Sequence, residues 1–363
     1  MKKSILSILS LLLVLGFVLV GCGKKEDDKQ GASNNEGANN DAISIAMVTD
    51  TGGVDDKSFN QLAWEGLKAY GEENGLEKGD GGYDYLQSNT DADYVPNLNS
   101  LVRRDFDLIV ATGFMLAEPI AEIADQKKDA KFVIIDSEVQ KDNVASVMFK
   151  EQEASFLAGV AAALQTKTKK LGFVGGMESD VIERFETGFR AGVASVDPSI
   201  EVMINYTGSF GSPELGKAAA NQMYTAGADI IFHASGGTGN GVFTEAVERK
   251  TADPNADVWV IGVDSDQYHL GKVNDDTNIT LTSALKRIDV AINDVIKLTK
   301  EGNFPGGNTT TLGLAEDGVG LAETGGNLTA ETLATVNEWK EKIVNGDLTV
   351  PGTYEELKSF EEQ

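Results

Sequence analysis

The chain has 363 residues, with 57 acidic against 31 basic side chains, a formal charge of −26, two histidines and one cysteine. Such an acidic body repels polyanions, which argues against nucleic acid, anionic lipid head groups and multiply charged phosphates as partners. The lone cysteine leaves no intrachain disulfide, so stability has to come from core burial, for which this length suffices, most naturally as two domains.

In chain order, Lys2 and Lys3 precede an uninterrupted apolar and small-residue run from Ile5 to Val20. That is the charged and apolar pattern of a secretory signal, too short for a membrane-spanning helix. The run ends in Leu19-Val20-Gly21-Cys22, which looks like a lipobox, so residues 1–21 are expected to be removed and Cys22 acylated. Loss of two lysines leaves 29 basic against 57 acidic residues, or −28. Residues 22–42 carry almost no apolar surface to bury and read as a flexible tether to the membrane.

From Ile43 onward, short apolar runs alternate with amphipathic helical stretches, the pattern of a parallel sheet built from βαβ units. Strands are expected at Ile43–Val48, Tyr83–Gln87, Leu108–Ala111, Lys131–Ile135 and Ala145–Phe149. The spacing of Phe59, Leu62, Ala63, Gly66 and Leu67 predicts a helix over 58–70, with Ser58 placed to cap it. After a helix over 151–164, the pattern restarts with strands at Leu171–Gly175, Val202–Asn205, Asp229–Ala234 and Val258–Val263. Two consecutive sets imply two doubly wound lobes, 43–150 and 151–284. Ligands bind outside the carboxyl ends of such sheets, which places one ligand between the lobes.

The tail contains a strand at Ile279–Ser283, a helix over 290–299 and a last helix over 329–344. It is expected to cross between lobes as a hinge, with part of 285–328 added to the first lobe and 329–363 to the second. Thr309–Leu312 and Gly318–Glu323 read as strands joined by the turn Glu316-Asp317-Gly318.

Several motifs invite chemistry and fail on context. Asp50-Thr51-Gly52 matches the aspartic protease triplet, but that reaction needs two carboxylates sharing a proton, and the triplet occurs once in a βα setting. In Gly236-Gly237-Thr238-Gly239-Asn240-Gly241, the sixth position of G-x-G-x-x-G counted from Gly237 is Val242, and no P-loop Lys-Ser/Thr is near. His233 and His269 are too few for a metal or nucleophilic triad. His233 ends an apolar strand and is expected to be a hydrogen-bonded core imidazole.

The remaining segments resemble the basic membrane protein family of transporter-associated lipoproteins, whose best understood members bind purine nucleosides. The resemblance runs through VTDTGGVDDKSFNQLAWEGL, ATGF, GFVGGMESDVIERFETGFRAGV, YTGSF, VIGVDSDQ and SALKR, in that order, over essentially the whole body after the tether. It implies a type I periplasmic binding protein-like fold, no cofactor, a purine nucleoside ligand and an ABC transporter permease as partner. A sugar-binding or sensory lipoprotein of the same fold is the alternative. A nucleoside or glycoside hydrolase would need an acid–base pair, which Asp50 and Asp264 could supply only without an obvious leaving-group acid.

By the same resemblance, a base stacks between Phe59 and Phe210, Asn60 meets a purine edge, and Asp50 accepts from a ring or exocyclic N–H. Asp264 accepts from two ribose hydroxyls and Lys286 donates to sugar oxygens. Gly236 and Gly237 admit a close approach of backbone to sugar, and Met115 is carried over with them. Each has a plainer reading: Phe59 as core, Asp50 and Asp264 as helix caps, Lys286 as a solvated surface lysine. Asp55 and Asp56 are read as solvated or capping.

Overall fold

A computed structural model describes residues 42–362; the expected leader over 1–21, acylation of Cys22 and the tether before residue 42 lie outside the described residues. The first run of alternation gives β1 (Ile45–Val48), α1 (Phe59–Glu73), β2 (Tyr83–Leu86), α2 (Tyr94–Arg103), β3 (Leu108–Thr112), α3 (Ala117–Gln126), β4 (Phe132–Ile135) and β5 (Val144–Phe149). Every residue of β1, β3 and β4 is buried, as parallel strands covered by helices on both faces require.

The second run gives α4 (Glu151–Gln165), β6 (Lys170–Gly175), α5 (Asp180–Val196), β7 (Glu201–Tyr206), α6 (Pro213–Thr225), β8 (Ile230–Ala234), α7 (Gly239–Ala252), β9 (Trp259–Asp264) and β10 (Thr280–Lys286). The tail adds α8 (Ile288–Lys300), β11 (Thr309–Leu312), β12 (Val319–Leu321), α9 (Ala330–Val344) and α10 (Tyr354–Glu361).

These elements form two six-stranded sheets, ordered β11-β5-β4-β3-β1-β2 and β12-β10-β9-β8-β6-β7. All pairings are parallel except β12 against β10. In both sheets the strand order reverses beside the first strand of the set, β1 in one and β6 in the other, the point at which doubly wound sheets open a crevice. The architecture is thus two α/β lobes of the type I periplasmic binding protein kind.

The two short strands near residue 315 are not a hairpin. β11 extends the first sheet on β5, whereas β12 pairs with β10 in the second, so the turn at Glu316-Asp317-Gly318 lies on a crossing between lobes. Two other crossings run from β5 into α4 and from β10 into α8. The three are laced together, with Lys150 N–H donating to Leu312 O at 2.9 Å and Arg287 N–H to Gly318 O at 2.8 Å.

Helix α4 is buried on nearly every side and lies so close to α5 that small residues are obligatory at the contact. A Cβ on Gly192 would stand 2.1 Å from Phe156 O, and one on Gly159 2.2 Å from Phe189 O. Because both obstacles are backbone, neither can swing away. Gly192→Ala gains about 1 kcal/mol of helix propensity but meets an overpacking penalty near the upper end of about 1–3 kcal/mol. The expected net loss is about 2 kcal/mol, read as a lower urea midpoint at unchanged slope.

Candidate ligand-binding site

The residues that follow the switch-point strands converge on a cavity between the lobes, the place where paired α/β lobes bind small molecules. From the first lobe come Asp50 after β1, Phe59 and Asn60 at the start of α1, Gly113 and Phe114 after β3, and Asp136 after β4. From the second come Val181, Ile182 and Phe185 of α5, Phe210 after β7, Ser235 and Gly236 after β8, Asp264 at the end of β9 and Lys286 at the end of β10. The rings of Phe114 and Phe210 meet edge to face across the lobes, with centroids 6.3 Å apart and planes at 75°.

One lip of the first lobe closes the cavity. Ser58 occupies the N-cap position of α1 without capping it. Its hydroxyl instead donates across the cleft to Asp264 Oδ2. The capping falls to Asp56, whose carboxylate accepts from the N–H groups of Ser58, Asn60 and Gln61 at 2.8–3.0 Å. Backbone carbonyls of the same lip accept from the second lobe: Asp56 O from Asn240 Nδ2 at 3.1 Å and Lys57 O from Gln267 Nε2 at 2.8 Å. Hydrogen bonds made only when the lobes meet hold a closed state.

Asn60 is a strut within this wall. Its Nδ2 donates to Asp50 Oδ1 (2.7 Å) and Asp56 Oδ2 (3.0 Å), while its Oδ1 accepts from Thr112 Oγ1 (2.7 Å) and Asp50 N–H (3.2 Å). Two donors and two acceptors are all an amide has, so Asn60 fixes Asp50 rather than presenting a free edge. Asp50 Oδ1 is held by Asn60 and by Gly52 N–H at 2.8 Å. Neither Asp50 nor Asp264 caps a helix.

Lys286 is buried, not a solvated surface lysine, and only 2% exposed. Its ammonium donates to Asp136 Oδ2 at 2.5 Å and Glu151 Oε1 at 3.1 Å, and lies 5.0 Å from the ring centroid of Phe59, 5.3 Å from that of Phe149 and 5.7 Å from that of Phe185. Burial alone would lower its pKa, but Asp136, Glu151 and Asp264 outweigh this and raise it, so the lysine is charged. Burial pushes the carboxyls of Asp50 and Asp264 up to about 7, against the hydrogen bonds of Asn60 and Gly52 at Asp50 and the charge of Lys286 at Asp264. Asp136 and Asp264 both have left-handed backbone, at φ 66° and 62°, a conformation that non-glycine residues hold only where surroundings enforce it.

Seven of the nine ligand residues expected from the sequence line this cavity: Asp50, Phe59, Asn60, Phe210, Gly236, Asp264 and Lys286. Met115 and Gly237 do not. Met115 points toward the core, where its sulfur accepts from Tyr94 Oη at 3.8 Å, and its neighbour Phe114 takes the cavity position. Gly237 lines an adjoining crevice at the lip, with Gly52, Gln87 and Asn240. Asp56, Phe114, Asp136 and Phe185 are cavity residues that sequence reasoning passed over. The signal for Asp136 was available, since it directly follows an expected strand. His233 is a fully buried imidazole bonded to Gln267 Oε1 at 2.9 Å, and burial lowers its pKa to about 4. Among the described residues no group of His, Cys, Asp and Glu is arranged to hold a metal ion, and no helix is long and apolar enough to cross a membrane.

Comparison with known proteins fits this geometry. A "CD4+ T-cell-stimulating antigen" of Listeria innocua is 50% identical over 355 residues, covering 96% of this chain and 99% of the relative. An "ABC transporter nucleoside-binding protein BmpA" of Lactococcus lactis is 42% identical, covering 97% and 99%. A solved solute-binding protein of an ABC transporter system from Aeropyrum pernix K1 superposes with a TM-score of 0.75 at 29% identity, covering 88% of this chain and 98% of that one. The model of the PnrA-like substrate-binding proteins of ABC transporters, a class that works outside the cytoplasm by binding solutes, matches residues 43–354, and the chain belongs to that family.

Proposed function

We propose that the protein captures unphosphorylated purine nucleosides between its lobes and hands them to the permease of an ABC importer. It does so on the extracytoplasmic face of the membrane, held there by acylation of Cys22. The observation that carries this reading is the make-up of the interlobe cavity, with phenylalanines from both lobes around buried carboxylates. A purine nucleoside offers the complement: a flat base for Phe59 and Phe210, N–H donors for Asp50 and Asp136, and vicinal hydroxyls for Asp264. Asp50, Asp56, Asp136 and Asp264 outnumber the one ammonium of Lys286 in the wall, which disfavours a phosphate. The nucleoside-binding description of the Lactococcus lactis relative supports the ligand class. The role is capture and release without turnover.

Mass spectrometry of the denatured, freshly purified protein is expected to release a purine nucleoside, and calorimetric titration to give heat with inosine, adenosine or guanosine but not with D-ribose. Binding of free pentoses or hexoses with silence toward all three nucleosides overturns the reading in favour of a sugar-binding protein. Stacking contributes about 1–3 kcal/mol per base. Phe59→Ala and Phe210→Ala are each expected to weaken nucleoside binding by a factor of about 5–150 at unchanged circular dichroism.

A further inference from the structure

Glu151 is completely buried, lies outside the cavity wall and belongs to the crossing from β5 into α4. Its two oxygens hold different partners. Oε1 accepts from Lys286 Nζ at 3.1 Å, and Oε2 accepts from Arg184 Nε at 2.6 Å. Lys286 ends β10 at the second crossing and also grips Asp136 of the first lobe, while Arg184 lies on α5 of the second lobe between the cavity residues Ile182 and Phe185. The cluster therefore has one member from each lobe and one from each of two crossings, and Glu151 is the member that joins Lys286 to Arg184 and so to the second lobe.

Rotation of one lobe against the other turns the backbone at those crossings, so Asp136, Lys286 and Arg184 cannot all keep their partners in an open form. Two atoms of the cluster, Asp136 Oδ1 and Arg184 Nη2, are buried without a partner, and Asp136 is also part of the cavity wall. A ligand that donates to Asp136 completes the set from the cavity side.

We propose that Glu151 is the positioning residue that couples cavity occupancy to lobe closure, by holding Lys286 and Arg184 in the register that closure requires. The inference rests on the ligand-capture reading above only for the choice of probe, because lobe closure is also measurable without ligand. In Glu151→Gln the neutral amide no longer balances Lys286 and Arg184, and the closed form loses population in the empty protein as well as the loaded one.

The test is small-angle X-ray scattering of the whole chain with and without inosine, paired with calorimetric titration. Wild type, Glu151→Gln and the charge-balanced double variant Glu151→Gln/Arg184→Gln are compared. Glu245→Gln, which alters a buried carboxylate paired to Arg249 away from the crossings, is the control. Both Glu151 variants are expected to show a larger radius of gyration without ligand. A tenfold fall in the closed fraction raises the inosine Kd about tenfold, while the control matches wild type. If one Glu151 variant does not fold, the other carries the test. Ligand-free scattering identical to wild type in the folded variant overturns the proposal. Absence of inosine binding by wild type overturns the nucleoside reading alone, and the ligand-free comparison still decides the role of Glu151.

Discussion

Lys286→Met is expected to destabilise the protein by about 3–5 kcal/mol, the range for stripping one partner from a buried ion pair. Methionine fills much of the space among Phe59, Phe149 and Phe185, so the loss is electrostatic rather than a cavity effect. Asp136, at 6% exposure, is left without its counter-ion, and the fully buried Glu151 keeps only Arg184, while Asp264 loses the one positive charge that lowers its pKa. Folded-state carboxyls whose pKa rises bind protons that the unfolded chain, titrating near about 4, does not. The variant's stability should therefore fall more steeply than wild type's as pH increases from 5 to 8. Urea unfolding at the two ends of that range reads the effect. A variant whose deficit is the same at pH 5 and pH 8 would show that Lys286 acts through packing alone.

The alternation of β-rich and helical runs carried the fold, because fully buried parallel strands such as Phe132–Ile135 leave uninterrupted apolar signatures. Asp50, Gly236 and Asp264 came from the resemblance, and all three lie at the carboxyl ends of strands, where doubly wound sheets place ligands. That rule was weaker where a side chain could point two ways. Phe114 and Met115 are adjacent, and only Phe114 lines the cleft. Asp56, read as solvated or capping, caps α1 but is buried rather than solvated, and it is also cavity wall because α1 begins at the lip. Ser58 has the residue type of a cap, but its hydroxyl bonds to a carboxylate 206 positions away. The strands at 309–312 and 319–321 are separated by a well-formed turn, and nothing local in the sequence states that they join different sheets.

Asp264→Asn should weaken nucleoside binding about 10- to 150-fold, if a charged hydrogen bond worth about 1.5–3 kcal/mol is lost. The pH dependence then separates a carboxylate that meets the ligand from one that only supports the lip. With Asp50 and Asp264 both pushed up to about 7, the folded, ligand-free protein holds protons between about pH 4 and 7 that the unfolded chain has released. Its stability from these two groups is greatest at the acid end and falls as pH rises through that window. A ligand whose N–H and O–H groups donate to both carboxylates favours their ionised forms and expels those protons on binding. Wild-type affinity is therefore expected to rise with pH up to about 7 and level off above it. Titrations at pH 6 in two buffers of different ionisation enthalpy should give net proton release. In Asp264→Asn the release is reduced to the share of Asp50, and the affinity rises less steeply with pH. Equal proton release from wild type and variant would remove Asp264 from the ligand and leave it only its bond to Ser58.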